Sequence, residues 1–178
     1  MNEKQLTEYA KQIHQTAKDK GWWDKKRNHD EIFMLIITEL AEAVEADRED
    51  IYADYEVHDD IKDKVESMDE KLFKGYFEEW IKDTVEDELA DTLIRALDYL
   101  YYRHRDSIIV NSMEFTFSDN FAEGVFSICK LFADRQILPG VIAITQFAER
   151  WGIDLQWHVE QKMRFNGMRE YKHGGKKY

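Results

Sequence analysis

One proline, Pro139, stands among 178 residues, and the stretch from Tyr76 to Arg105 contains neither proline nor glycine. With only 8 glycines in the whole chain, little is left for the tight turns of a β-rich fold, and long helices are the expectation. The length suits one domain with its own core rather than two. The single Cys129 cannot form an intrachain bridge and reads as a buried apolar residue, not a nucleophile. The start, MNEKQLTEYAKQIHQ, is charged from its third residue and lacks the apolar core of a secretory signal. The longest purely apolar run, Ile32 to Ile37, is too short to cross a bilayer. A cytoplasmic protein with no membrane partner is therefore expected.

The net charge of −12 argues against a broad surface for nucleic-acid polymer. Its distribution is uneven. Lys162, Arg164, Arg169, Lys172, Lys176 and Lys177 face only Glu170 in residues 162–178, so an acidic body carries a basic tail. That is ordinary for a solvated surface, and it also suits a site that holds metal ions and phosphates together.

Apolar residues Leu6, Tyr9, Ala10, Ile13 and Ala17 recur at helical spacing over residues 3–20, and Gly21 ends that helix. Asn28 followed by Glu31 resembles a capping box that opens a second helix to about Arg48. Residues 49–75 are charged and weakly periodic and read as a helical insertion ended by Gly75, with a long helix from Tyr76 to about Arg105. Residues 106–117 alternate briefly like a strand pair. Helices over about 119–134, 140–151 and 154–166 follow, before the tail. The fold class is all-α, a helical bundle.

Two helices carry the chemistry. At about 100° per residue, Glu39 falls between Leu35 and Ile32, inside the apolar arc of the second helix, with Glu42 at the arc's edge. A carboxylate on a core-facing stripe costs several kcal/mol unless it is paired, and a divalent cation compensates it economically. On the long helix Glu88, Asp91, Arg95 and Asp98 lie opposite the apolar arc, so that helix taken alone predicts a solvent-exposed acidic face. Carboxylates three residues apart on two packed helices can nevertheless converge. Four oxygen donors without thiolate or imidazole suit Mg²⁺ rather than zinc, with Mn²⁺ as a substitute.

Glu39-Leu-Ala-Glu42 followed by Glu88-Leu-Ala-Asp91 resembles the ExxE…ExxD signature of the MazG-like, all-α nucleoside triphosphate pyrophosphatases. Gly21-Trp22-Trp23 upstream, Gly152-Ile153-Asp154-Leu155 before the last helix, and the ending KMRFNGMREYKHGGKKY are similar to parts of that family as well. The resemblance implies a four-helix core, here about residues 5–48, 79–101 and 152–166, assembled as a homodimer or a dimer of dimers. It implies Mg²⁺-dependent cleavage of a nucleoside triphosphate to a monophosphate and pyrophosphate. By position, Glu39, Glu42, Glu88 and Asp91 would be metal ligands, and Glu39 or Glu42 would also orient or deprotonate the attacking water. Lys162, Asn166 and Arg169 would meet the phosphates. Trp23 and His14 would meet the base, against plain packing roles for both. The chain departs from compact members by insertions at about 49–75 and 102–150.

Three other readings are weaker. His29-Asp30 and His58-Asp59 hint at an HD-type phosphohydrolase, but both sit in expected loop or insertion segments. A di-iron bundle wants two Glu-x-x-His pairs, and only Glu170-x-x-His173 fits. A non-catalytic helical interaction module of the same fold is the third.

Overall fold

The computed structural model describes residues 1–53, 62, 64–105 and 113–175. Among these the chain is all-helical, with α1 (Glu3–Asp19), α2 (His29–Arg48), α3 (Glu70–Trp80), α4 (Val85–His104), α5 (Phe121–Ala133), α6 (Ile137–Arg150), α7 (Leu155–Met168) and the short α8 (Lys172–Gly175). No described helix is long and apolar enough to cross a membrane.

The caps explain most boundaries. Asn2 and Gln5 form a reciprocal capping box at α1. Asn28 caps α2 by accepting from the Asp30 N–H, while Glu31 pairs with Arg27 at 3.5 Å instead of closing the expected box. The expected break at Gly75 is absent. Asp69 caps α3, which runs straight through an exposed Gly75, and the chain breaks later, at Lys82 to Thr84. Asp83 adopts a left-handed conformation (φ 64°) and the Thr84 hydroxyl accepts from the Asp87 N–H to start α4.

Helix α4 is the spine. It packs against α1, α2, α6 and α7, and Leu89, Leu93, Ala96 and Leu97 are fully buried in the main core. The segment expected as an insertion before α7 is integral to that core, because α5 packs on α2 and α6 on α4. The strand-like reading of 106–117 lies partly outside the described residues. Residues 113–118 form no strand; the Gln146 side chain accepts from the Phe115 N–H (2.9 Å) and donates to the Met113 carbonyl (2.6 Å), replacing a strand partner. A smaller cluster fastens α3 to α7. Phe77 stacks on Phe165 with centroids 4.3 Å apart, and the Arg164 guanidinium lies 3.9 Å over the Phe73 ring.

The tail folds back onto the loop after α1. The Lys172 N–H donates to the Lys20 carbonyl (2.9 Å), the Lys20 ammonium to the Arg169 carbonyl (2.5 Å), and the Tyr171 hydroxyl to Asp24. Gly21 permits this clasp. Its φ is 82°, and a Cβ there would stand 2.3 Å from the Tyr171 ring. Gly21→Ala is expected to cost about 1–2 kcal/mol in urea unfolding and to open the tail to limited proteolysis.

Candidate metal and phosphate site

One cavity of about 640 Å³ is walled by α1, α2, α4, α7 and the segments at Lys20–Arg27 and Lys82–Asp83. Glu39, Glu42, Glu88, Asp91, Lys162, Asn166 and Arg169 all line it. Glu39 and Glu42 come from successive turns of α2, and Glu88 from the first turn of α4, where a carboxylate also favours the helix dipole. One oxygen from each of these three lies within 4.8 Å of the others. Glu39 is 6% exposed, as its place in the apolar arc predicts, and Glu42 is exposed.

The acidic face of α4 is not solvated. Glu88 is 5% and Asp98 9% exposed, because α1, α2 and α7 surround that side as well. Asp91 stands apart from the three-carboxylate group. Its Oδ2 receives the Lys162 ammonium at 2.9 Å, and the same ammonium lies 2.7 Å from Oδ2 of Asp87. Lys162 is thus committed to an Asp87–Lys162–Asp91 triad in which Lys162 and Asp87 are buried and Asp91 is partly exposed to the cavity. Asp87 did not stand out in the sequence; the available signal was Thr84-x-x-Asp87 at the helix start. Arg95 meets Glu39, not Asp91, with Nε 2.7 Å from Oε1 but without hydrogen-bond alignment.

The electrostatics follow from burial. Desolvation, reinforced by Asp91, pushes the Glu88 carboxyl up to about 9, and desolvation also raises Glu39 despite Arg95 beside it. Asp87 is raised to about 6 by burial against the pull of Lys162. Asp91 lies below its ordinary value: burial raises it, but Lys162, Arg95 and Arg169 outweigh that. A carboxyl raised on folding contributes stability that is complete below its unfolded value and is lost as pH rises through its folded value. Metal-free protein is therefore expected to lose stability between about pH 5 and 9, at up to about 1.4 kcal/mol per pH unit for one such group. Urea midpoints across that range measure it, and Glu88→Gln is expected to flatten the fall.

The donor set fits a hard divalent cation. Oxygen atoms alone converge, and Glu88 Oε2 is buried without a hydrogen-bond partner, as is Asn166 Oδ1 across the cavity. A second triplet, Asp83, Asp87 and Glu88, also falls within 4.8 Å, but its charge is already met by Lys82 at 2.5 Å from Asp83 and by Lys162.

His14 and Trp23 do not line the cavity. Both rings bond Asp98, His14 Nδ1 at 2.6 Å from Oδ1 and Trp23 Nε1 at 3.0 and 3.1 Å from the two oxygens. Trp22 lines it instead, edge-on to His173 with centroids 5.1 Å apart. His29 hydrogen-bonds Tyr99 and Asp30 pairs with Arg135 at 2.6 Å, so this dipeptide faces away from the carboxylates. His58-Asp59 lies outside the described residues.

Among the described residues, fold and site together define an all-helical structure with a carboxylate-lined, cation-rimmed cavity at the meeting of four helices. Comparison with protein-family models, curated proteins and solved structures finds no match to this chain.

Proposed function

We propose that this chain is a MazG-like, Mg²⁺-dependent nucleoside triphosphate pyrophosphohydrolase, releasing a nucleoside monophosphate and pyrophosphate. The observation that carries the reading is the convergence of Glu39, Glu42 and Glu88 within 4.8 Å at the wall of a cavity that also holds cationic groups. Carboxylates and cations gathered in one cleft suit a substrate that is a metal–polyphosphate complex. They do not suit a neutral ligand.

Glu39, Glu42 and Glu88 would hold the cation, with Asp91 in reserve beside Lys162. Bound there, Mg²⁺ (or Mn²⁺) supplies charge neutralisation for the phosphates and acidifies a coordinated water. Exposed Glu42 would be the carboxylate that accepts the proton of the attacking water, since Glu39 is engaged by Arg95. Arg169, Lys20 and the Asn166 amide also line the cavity and would orient the phosphate chain and meet charge on the departing pyrophosphate. Lys162 acts through Asp91, fixing and neutralising it. Exposed Met34 and Phe126, on the adjoining helices α2 and α5, offer an apolar surface for assembly as a homodimer or dimer of dimers.

The test is metal binding with turnover. Mn²⁺ binding, followed by electron paramagnetic resonance, is expected to weaken at least about tenfold in Glu39→Gln. Pyrophosphate release from a nucleotide panel is expected to require Mg²⁺ or Mn²⁺. Tight Mn²⁺ binding that ignores Glu39→Gln would remove the site from the proposal.

A further inference from the structure

The cavity has two unlike ends. Along α4 it runs from Glu88 to Asp98, about 15 Å at the helical rise, a length comparable to an extended nucleoside triphosphate. Three carboxylates, the Lys162 triad and Arg169 gather at the Glu88 end. At the other end Ile94 stands one turn before Asp98 on α4, and Ile13 precedes His14, whose ring meets Asp98. Ile32 adds a third apolar side chain from the start of α2, a region fixed beside Asp98 by the contact of Phe33 with Tyr99 at 5.2 Å. Apolar walls with the Asp98 carboxylate as acceptor and the Arg27 guanidinium in its field suit the faces and polar edge of a nucleobase. They suit a hydroxylated sugar or a phosphate poorly.

The hydrogen bonds of Asp98 define how much of it is left. A carboxylate offers about four lone-pair positions. Trp23 Nε1, at 3.0 and 3.1 Å, straddles the mouth between the two oxygens, and His14 Nδ1 takes a further position on Oδ1 at 2.6 Å. Among the described residues that leaves the outer position of Oδ2.

We propose that Asp98 is the specificity-determining residue for the base, accepting a single N–H from the base edge through Oδ2. The proposal rests on the pyrophosphohydrolase reading for the direction in which the substrate lies. It assigns His14 and Trp23 to positioning Asp98, not to touching the base. It also excludes the paired N–H groups of a guanine edge, because Trp23 already fills the bidentate position.

The experiment compares triphosphates that differ only in that donor: uridine against 3-methyluridine and cytidine against N4,N4-dimethylcytidine, with inorganic tripolyphosphate as the base-free control. In the wild type, methylation within one pair is expected to lower kcat/KM by about tenfold to a hundredfold, mainly through KM. In Asp98→Asn the parent-to-methylated ratio is expected to fall towards one, while tripolyphosphate shows no comparable change. Equal rates within both pairs would overturn the role of Asp98 and leave the pyrophosphohydrolase reading intact. If no triphosphate is turned over, that reading fails, and calorimetric binding of the corresponding monophosphates decides Asp98 by the same ratio. Where Asp98→Asn does not fold, Trp23→Phe serves: losing the N–H that orients Asp98 is expected to lower the parent-to-methylated ratio severalfold with tripolyphosphate turnover unchanged, and an unchanged ratio would count against the proposal.

Discussion

Glu88→Gln is expected to cut Mg²⁺-dependent pyrophosphate release by about a thousandfold without unfolding the protein at neutral pH. Both halves come from one environment. Glu88 is 5% exposed, within 4.8 Å of Glu39 and Glu42, and its carboxyl is pushed up to about 9. In metal-free protein at neutral pH it therefore carries its proton, and glutamine is close to an isostere of that form. A cation must displace this proton to gain a ligand, and glutamine has none to release and no charge to offer. Circular dichroism and thermal unfolding at pH 7 should match the wild type while activity is lost. Glu45→Gln, on the exposed side of α2 beside Arg48, is the control and should leave both unchanged.

Lys162→Met is expected to be the most damaging single change to the fold, lowering stability by about 3–5 kcal/mol. Lys162 is 5% exposed, and its ammonium lies 2.7 Å from Asp87 and 2.9 Å from Asp91, with Asp87 itself only 1% exposed. Methionine keeps the volume and the contact over the Phe77 ring, where Lys162 Nζ stands 5.5 Å from the centroid. What is lost is the charge between two carboxylates, Asp87 buried and Asp91 partly buried. For a chain of this size the thermal midpoint should fall by roughly 10 °C. Asp87→Asn added to Lys162→Met should recover part of the loss, because it removes one of the two orphaned charges. Little change in the single variant would show that the triad contributes nothing net.

These two residues also mark where the sequence was legible. Glu39 could be read from one helix, because a carboxylate inside an apolar arc is an anomaly of periodicity alone. Glu88 could not. Its helix carries an apolar arc broad enough to fill a core, so its acidic side reads as solvent-facing until α1, α2 and α7 are known to surround it. The triad is a contact between residues 87, 91 and 162, and no local pattern encodes it; Lys162 was expected on phosphate and is held by carboxylates. The Trp22-Trp23 pair shows the same limit, since a loop has no fixed period to say which ring turns to the cavity. Gly75 does not end a helix for a simpler reason: an exposed glycine costs a helix only about 1 kcal/mol, and the strong caps at Asp69 and Thr84 set the boundaries instead. The helical content itself was plain from the scarcity of turn residues.

The most direct test of the pyrophosphohydrolase reading is product analysis in ¹⁸O-labelled water, with and without Mg²⁺. The expected result is equal amounts of nucleoside monophosphate and pyrophosphate, formed only with a divalent cation, with the label in one product alone. Orthophosphate and a nucleoside diphosphate as products, cleavage that proceeds without a divalent cation, or no turnover of any triphosphate would contradict it.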